Sequence, residues 1–84
     1  MSKLDILIEL YGDQFIIASG FDKAIIGFDE SSERVIYSVK KIINVLMKDE
    51  QMSYEDAFEW YSYNMANTRF KTSNEPIYCN DILL

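Results

Sequence analysis

The sequence contains no histidine, a single cysteine and three glycines within its 84 residues. Without histidine, neither an imidazole general base nor a Ser-His-Asp triad can form. Cys79 lacks a histidine to activate it and a second cysteine for an internal disulfide, which fits a reducing cytoplasm. Walker-type and Rossmann glycine patterns are absent as well. We therefore expect that the protein is not an enzyme and that it holds no cofactor.

Basic residues are also scarce, with eight lysines and arginines against 14 aspartates and glutamates, for a net charge of −6. Binding to a phosphate backbone needs clustered positive charge. Lys40, Lys41 and Lys48 make only a thin basic strip, which we interpret mostly as a solvated helix face. We therefore expect no direct nucleic-acid binding, whereas an acidic surface would attract a basic partner protein.

Long hydrophobic runs are missing too. No apolar stretch approaches the ~20 residues that a membrane span needs. Lys3, Asp5 and Glu9 interrupt the first apolar residues, so no signal peptide is expected. We expect no membrane partner and a cytoplasmic location. The hydrophobic content of 49% and the aromatic content of 14% are typical of a globular chain, and the length predicts a single domain over residues 1–84.

Two segments repeat apolar residues at the i, i+3, i+4, i+7 spacing of an amphipathic helix. The first predicts a short helix over residues 3–11, with Ser2 as its cap and Gly12 at its end. The second predicts a helix over residues 39–49, capped by Ser38 or the residue before it. The apolar positions are Leu4, Leu7, Ile8 and Tyr11 in the first helix and Val39, Ile42, Ile43 and Leu46 in the second.

A third helix is predicted to begin after Ser53, a strong N-cap residue followed by the acidic Glu55 and Asp56. Because the connection from the second helix is short, the two helices are expected to pack near-antiparallel. The predicted inward stripe consists of Tyr54, Ala57, Phe58, Tyr61 and Met65.

Residues 24–28 and 35–38 are rich in Ile, Val, Phe and Tyr, which favour strands. They predict a hairpin around the charged loop 29–34, with Gly27 marking a bulge or a close approach. Residues 76–79 predict a short third strand that starts at Pro76 and lies beside the hairpin. The run 15–18 fits either a strand or a packed connection. The fold class is α+β, with a three-stranded sheet covered by helices on one face.

The string KAIIGFD…RVIYSVKKIINVLM…MSYEDAFEWYSYNM…EPIYC resembles a widespread group of small bacteriophage and prophage proteins. The match covers about residues 23–79. Gln51 stands where these proteins often have Gly, and residues 67–71 depart from their usual small, Gly-containing segment. The group has no assigned activity. The resemblance implies viral origin and expression inside a bacterial host, and it assigns no catalytic or binding residues.

The loop 29–34 carries three carboxylates, on Asp29, Glu30 and Glu33. A hard cation needs six or more oxygens, and the EF-hand spacing is absent, so we interpret the loop as a polar turn without a metal. Its carboxylates remain a candidate acidic rim for a basic partner. They also belong to a wider acidic set with Asp49, Glu50, Glu55, Asp56 and Glu59, which would suit mimicry of DNA.

Trp60, Tyr63 and Asn67 lie on a second face of the third helix, outside its core stripe. Trp and Tyr are over-represented in interface hot spots, so this face is a candidate protein-binding surface. The alternative is that the N-terminal helix or the tail 82–84 covers it. We expect a small cytoplasmic, phage-type accessory protein that binds a protein, such as a host defence nuclease or transcription component. A homo-oligomeric structural protein, dimeric through the same face or hairpin edges, and an acidic DNA mimic are the alternatives.

Overall fold

The computed structural model describes residues 2–66 and 74–84. A short 3₁₀ turn, Asp22–Ala24, precedes the sheet, and a π-helical turn, Ser62–Ala66, continues the last helix. The predicted α+β order of helix, hairpin, two helices and third strand is confirmed. The elements are α1 (Lys3–Tyr11), β1 (Ile25–Asp29), β2 (Arg34–Ser38), α2 (Val39–Asp49), α3 (Tyr54–Tyr61) and β3 (Ile77–Cys79).

The three strands form one sheet in the order β1-β2-β3. β1 pairs with β2 in antiparallel fashion, whereas β3 pairs with β2 in parallel. Parallel neighbours need a long crossover, and here the connection passes through α2 and α3. The pairing shifts register between Ile25 and Gly27, which confirms the predicted bulge and leaves Ile26 as the extra residue.

The hairpin loop is shorter than predicted. Asp29 pairs with Arg34 across the ladder, so the turn comprises residues 30–33 rather than 29–34. Glu33 adopts φ of 56°, the left-handed conformation that lets the chain reverse in four residues.

Serine hydroxyls begin all three helices. Ser2 accepts from the backbone N–H of Asp5, whose side chain accepts in return from the Ser2 N–H, completing a capping box. Ser38 begins α2, and Ser53 begins α3, in each case accepting the N–H three residues on. Gly12, at φ of 81°, ends α1. The predicted helix boundaries at these positions are confirmed. They could be predicted from the sequence because hydrogen bonds between residues close in sequence determine them.

The helices pack on one face of the sheet, as predicted. Tyr37 is fully buried on that face, and its parallel partner Tyr78 lies edge-on to Tyr61 at 5.9 Å between ring centroids. Phe28 stacks on Tyr11 of α1 at 4.2 Å. Each large apolar side chain removed from water stabilises the fold by roughly 1.5–3 kcal/mol. The α2 residues in this core, all at most 3% exposed, are Val39, Ile42, Ile43 and Leu46.

The run 15–18 is a packed connection rather than a strand. Phe15 meets Phe28 edge-on at 5.4 Å, and the Ala18 N–H donates to the Tyr37 hydroxyl at 2.8 Å. This bond gives the buried phenol a partner, which a buried polar group requires.

One prediction about packing is wrong. Tyr54 is 47% exposed and lies beside Phe58 of its own helix at 6.3 Å, so it does not join the inward stripe. Ile82 of the tail packs against the core, but Leu83 and Leu84 are 98% and 89% exposed. The tail turns away from the core because the Leu84 N–H donates to the Asp81 carbonyl and the Lys40 amine donates to the Leu84 carbonyl.

Candidate binding surface around Trp60

Trp60 projects from α3 at the end of the sheet where β1 begins. Its ring lies 6.0 Å from the ring of Phe21, the residue just before the 3₁₀ turn, and the two planes are tilted by 39°. The sequence suggested α1 or the tail 82–84 as the element that packs against Trp60. In the structure, Phe21 packs against it. Trp60 is half-buried, so part of its ring stays open to solvent.

Trp60 and Met52 form a wall shared by two concavities. One, of about 430 Å³, lies between this wall, the segment 19–21 and the C-terminal end of α2. The other, of about 460 Å³, lies between the wall, Tyr63 and Asn64. We call the two together the Trp60 cleft. Its apolar surface comes from Trp60, Met52, Phe21, Tyr63, Val45 and Leu46.

Four carboxylates line the Trp60 cleft, two in each concavity. Asp49 is the last residue of α2 and Glu50 follows it, and Asp56 and Glu59 lie on α3. All four are exposed, and within residues 2–66 and 74–84 none of them has a lysine or arginine within ion-pair distance. The sequence placed these residues only in a general acidic set, because their convergence on Trp60 depends on the packing of α2 against α3.

Tyr63 is held outward by an irregular turn. α3 gives way to the π-helical turn at Ser62, and the Asn64 side-chain amide donates to the Trp60 carbonyl at 2.9 Å. Tyr63 is 76% exposed at the edge of the cleft. Single π turns inside helices are frequent at functional sites. The third predicted residue of this face, Asn67, lies outside the described residues.

Two of the three carboxylates of the hairpin tip, those of Asp29 and Glu30, accept hydrogen bonds from within the chain. Asp29 accepts from the hydroxyls of Ser31 at 3.0 Å and Ser32 at 2.6 Å, and these bonds hold its carboxyl pKa below the ordinary value. Glu30 accepts from the Tyr11 hydroxyl at 3.0 Å, which raises the pKa of that phenol. Glu33 occupies the left-handed position of the turn. In the described ranges, no group of three or more Cys, Asp or Glu side chains is arranged to hold a metal ion.

The structure does not bring the hairpin tip and the Trp60 face together. Trp60 contacts Phe21, before β1, whereas Asp29 and Glu30 lie at the other end of that strand. Five strand residues at about 3.3 Å each separate the two ends of β1. The acidic rim nearest to Trp60 is therefore the set in the cleft.

No protein-family profile matches this sequence, and neither the curated proteins nor the solved structures contain a significant match. The resemblance to phage proteins accordingly stays a prediction. Among the described residues, no helix combines the length and the apolar character needed to cross a bilayer.

Proposed function

We propose that the protein is a binding module that takes a basic segment of another protein into the Trp60 cleft. The observation that carries this proposal is the set of four exposed carboxylates, without an ion-pair partner in the described chain, around a half-exposed tryptophan. An acidic site with an aromatic wall suits arginine and lysine side chains.

The cleft offers such a segment two kinds of contact. Its carboxylates provide charge-assisted hydrogen bonds and, with the net charge of −6, speed the approach of a positive partner. Trp60 and Tyr63 provide faces on which a guanidinium or ammonium group can stack. Tryptophan and tyrosine are also the residues that most often dominate binding energy at interfaces.

The partner class follows from this chemistry. Proteins that bind nucleic acids present clustered lysines and arginines, so they match an acidic aromatic cleft. A bacterial defence nuclease or a transcription component belongs to this class, and the resemblance to phage proteins motivates a host factor as the target. Binding there would place the protein in the cytoplasm of the host bacterial cell, as an inhibitor of that factor.

Mimicry of DNA is a second candidate function. It is favoured by the number of acids near α3, where Glu55 adds a fifth exposed carboxylate to the four of the cleft. The other three of the eight acids that would suit mimicry lie at the hairpin tip, where Asp29 and Glu30 accept hydrogen bonds from hydroxyl groups. A mimic would bind through charge alone, whereas the proposed cleft also needs the indole of Trp60.

The chain contains one tryptophan, so its fluorescence reports directly on the cleft. The experiment titrates the protein with a short peptide that alternates arginine and alanine, at low and at moderate salt. We expect a saturable change in the emission of Trp60. The matched control is the same peptide with glutamate in place of arginine, which is expected to leave the emission unchanged.

Salt separates the two candidate functions, because exposed charge pairs are screened at moderate ionic strength. Binding that survives moderate salt and weakens on Tyr63→Ala supports the aromatic cleft. Binding that is lost at moderate salt and is unaffected by Tyr63→Ala supports mimicry of DNA through charge. A flat emission signal with every peptide at low salt contradicts the proposed function.

A further inference from the structure

Four lysines converge on a second surface, on a protein with a net charge of −6. Lys23, Lys41 and Lys48 line a concavity of about 200 Å³ along α2, together with Asn44. Lys3 joins them from α1, since it shares a neighbouring groove with Lys41 and its amine donates to the Lys23 carbonyl at 3.1 Å. We call these four residues the lysine patch. The sequence indicated only part of it, because Lys3 and Lys23 reach α2 through tertiary packing.

The lysine patch holds four amines near one another, and Asp49 contributes one carboxylate to the lining of the same concavity. The pKa of the Lys3 amine is lowered, first by burial and then by the positive charge of Lys41. The other two basic residues of the described ranges are engaged elsewhere. Arg34 lies 3.9 Å from Glu75, and Lys40 donates to the Leu84 carbonyl at 2.6 Å.

Apolar side chains flank the lysine patch, as they do the Trp60 cleft. A groove of about 400 Å³ between α1 and β1 is lined by Ile6 and Ile26, which are 43% and 46% exposed, with Lys3 and Lys41 at its rim. The patch therefore presents amines beside an apolar surface, and the Trp60 cleft presents carboxylates beside an aromatic one.

The lysine patch and the Trp60 cleft are neighbours. Val45 and Asp49 line both the concavity along α2 and the concavity beside Trp60. Opposite charges thus lie side by side across the C-terminal half of α2. Such an arrangement is self-complementary, because rotating a second copy by half a turn brings each surface against the other.

We propose that two copies of this chain pair about a two-fold axis, with the lysine patch of each copy against the Trp60 cleft of the other. In this dimer the contact between patch and cleft occurs twice, and each contact places four amines opposite four carboxylates. The dimer also buries Ile6, Ile26 and Trp60. It rests on the proposed function in one respect, since the same cleft must accept basic groups. A long polyanion such as DNA fits less well, because the rest of the surface repels it.

The test is sedimentation velocity on two charge-reversed variants. The patch variant is Lys41→Glu with Lys48→Glu, and the cleft variant is Glu50→Lys with Glu59→Lys. We expect the wild-type protein to reach twice the monomer mass as its concentration rises, and each variant alone to stay monomeric. An equimolar mixture of the two variants is expected to dimerise, since both contacts then pair opposite charges again. Circular dichroism and thermal unfolding establish that each variant is folded.

Three results would overturn the pairing. These are a wild-type protein that is monomeric at every concentration, variants that dimerise on their own, and a mixture that stays monomeric. If the wild-type monomer instead binds a polyglutamate peptide through Lys41 and Lys48, the patch serves an external anion. The monomeric patch variant also tests the proposed function separately, because its cleft is free and is expected to bind the arginine–alanine peptide.

Discussion

The hairpin tip and the Trp60 cleft are both acidic, but their carboxylates are in different situations. At the tip, the oxygens of Asp29 and Glu30 accept hydrogen bonds from Ser31, Ser32 and Tyr11. In the cleft, Asp49, Glu50, Asp56 and Glu59 have no ion-pair partner within the described ranges. A carboxylate with internal partners contributes to the stability of its own turn, whereas one without them is available to a ligand.

The difference shows that acidic composition alone does not locate a binding site. In sequence, the tip is the denser cluster, with three carboxylates within five residues. In the structure, two of those three carboxylates accept hydrogen bonds from hydroxyl groups, Asp29 from Ser31 and Ser32 of the turn and Glu30 from Tyr11 of α1. The acids of the cleft come from the C-terminal end of α2, from Glu50 just after it and from α3, and they lie beside an aromatic wall.

The largest effect is expected from Trp60→Ala. Truncating an interface hot spot commonly costs 2 kcal/mol or more, so the affinity for the arginine–alanine peptide should fall by about 30-fold. Anisotropy of a labelled peptide measures the affinity, since the variant lacks the fluorescent indole. Tyr11→Phe is the control at the tip, where the affinity should not change. Equal losses in both variants would show that the cleft is not the binding surface.

The next effect concerns another internally bonded carboxylate, that of Asp81. The Ser38 hydroxyl donates to it at 2.5 Å and the Lys40 N–H at 3.0 Å, and these bonds lower its pKa. Ser38→Ala removes both this contact and the cap of α2. We expect a loss of about 1 kcal/mol or somewhat more in the free energy of unfolding, or a Tm lower by about 4–8 °C.

Ser53→Ala is the matched control for that variant, because Ser53 caps α3 without a carboxylate partner. Thermal unfolding of the two variants gives the difference between their losses of stability, and this difference is the contribution of the Ser38–Asp81 contact. This contribution should be present at neutral pH and should disappear as the pH falls through the lowered pKa of Asp81, where the carboxyl becomes protonated. If the Tm of the two variants changes with pH in the same way, Asp81 does not stabilise the fold through Ser38.

A smaller effect is expected from neutralising two acids of the cleft, with Glu50→Gln and Glu59→Gln. Exposed charge pairs contribute about 0.2–1 kcal/mol each, so the peptide affinity at low salt should drop by about fivefold. Glu30→Gln with Glu33→Gln removes the same charge at the tip and should have little effect. If the tip variant weakens binding as much, the net charge of the protein governs the affinity.

The smallest effect is expected for Asp29→Asn, and it concerns the thermal stability of the protein rather than its affinity for the peptide. The pKa of Asp29 is depressed by hydrogen bonds from Ser32 and Ser31, so its stabilising contribution is present above the unfolded pKa and lost as the pH falls through the folded one. Thermal unfolding should show a slightly lower Tm for the variant at neutral pH and no difference in strong acid. The peptide affinity of the variant at neutral pH should equal that of the wild-type protein.

Local patterns predicted much of the fold. Helical spacing and the caps Ser2, Ser38 and Ser53 determined where the helices begin, because these hydrogen bonds lie within four residues. The parallel pairing of β3 with β2 was not predictable, since it depends on how α2 and α3 return the chain. The exposure of Tyr54 was missed for a related reason, because its helical spacing matches that of the buried residues.

The candidate site was predicted only in part. Trp60 and Tyr63 were identified from residue type and position on α3. The support from Phe21 and the convergence of Asp49 and Glu50 required the packing of distant segments. Conversely, the internal bonds of Asp29 were accessible from sequence, since two serines follow it within three residues.

The most direct test is to map the arginine–alanine peptide on the amide spectrum of the ¹⁵N-labelled patch variant, whose cleft is free in the monomer. If the cleft binds basic segments, we expect shifts concentrated at Phe21, Asp49–Met52 and Glu59–Asn64, with the amides of residues 29–33 unmoved. Shifts centred on residues 29–33 or spread evenly over the acidic surface, with Trp60 and its neighbours unchanged, would contradict binding in the cleft.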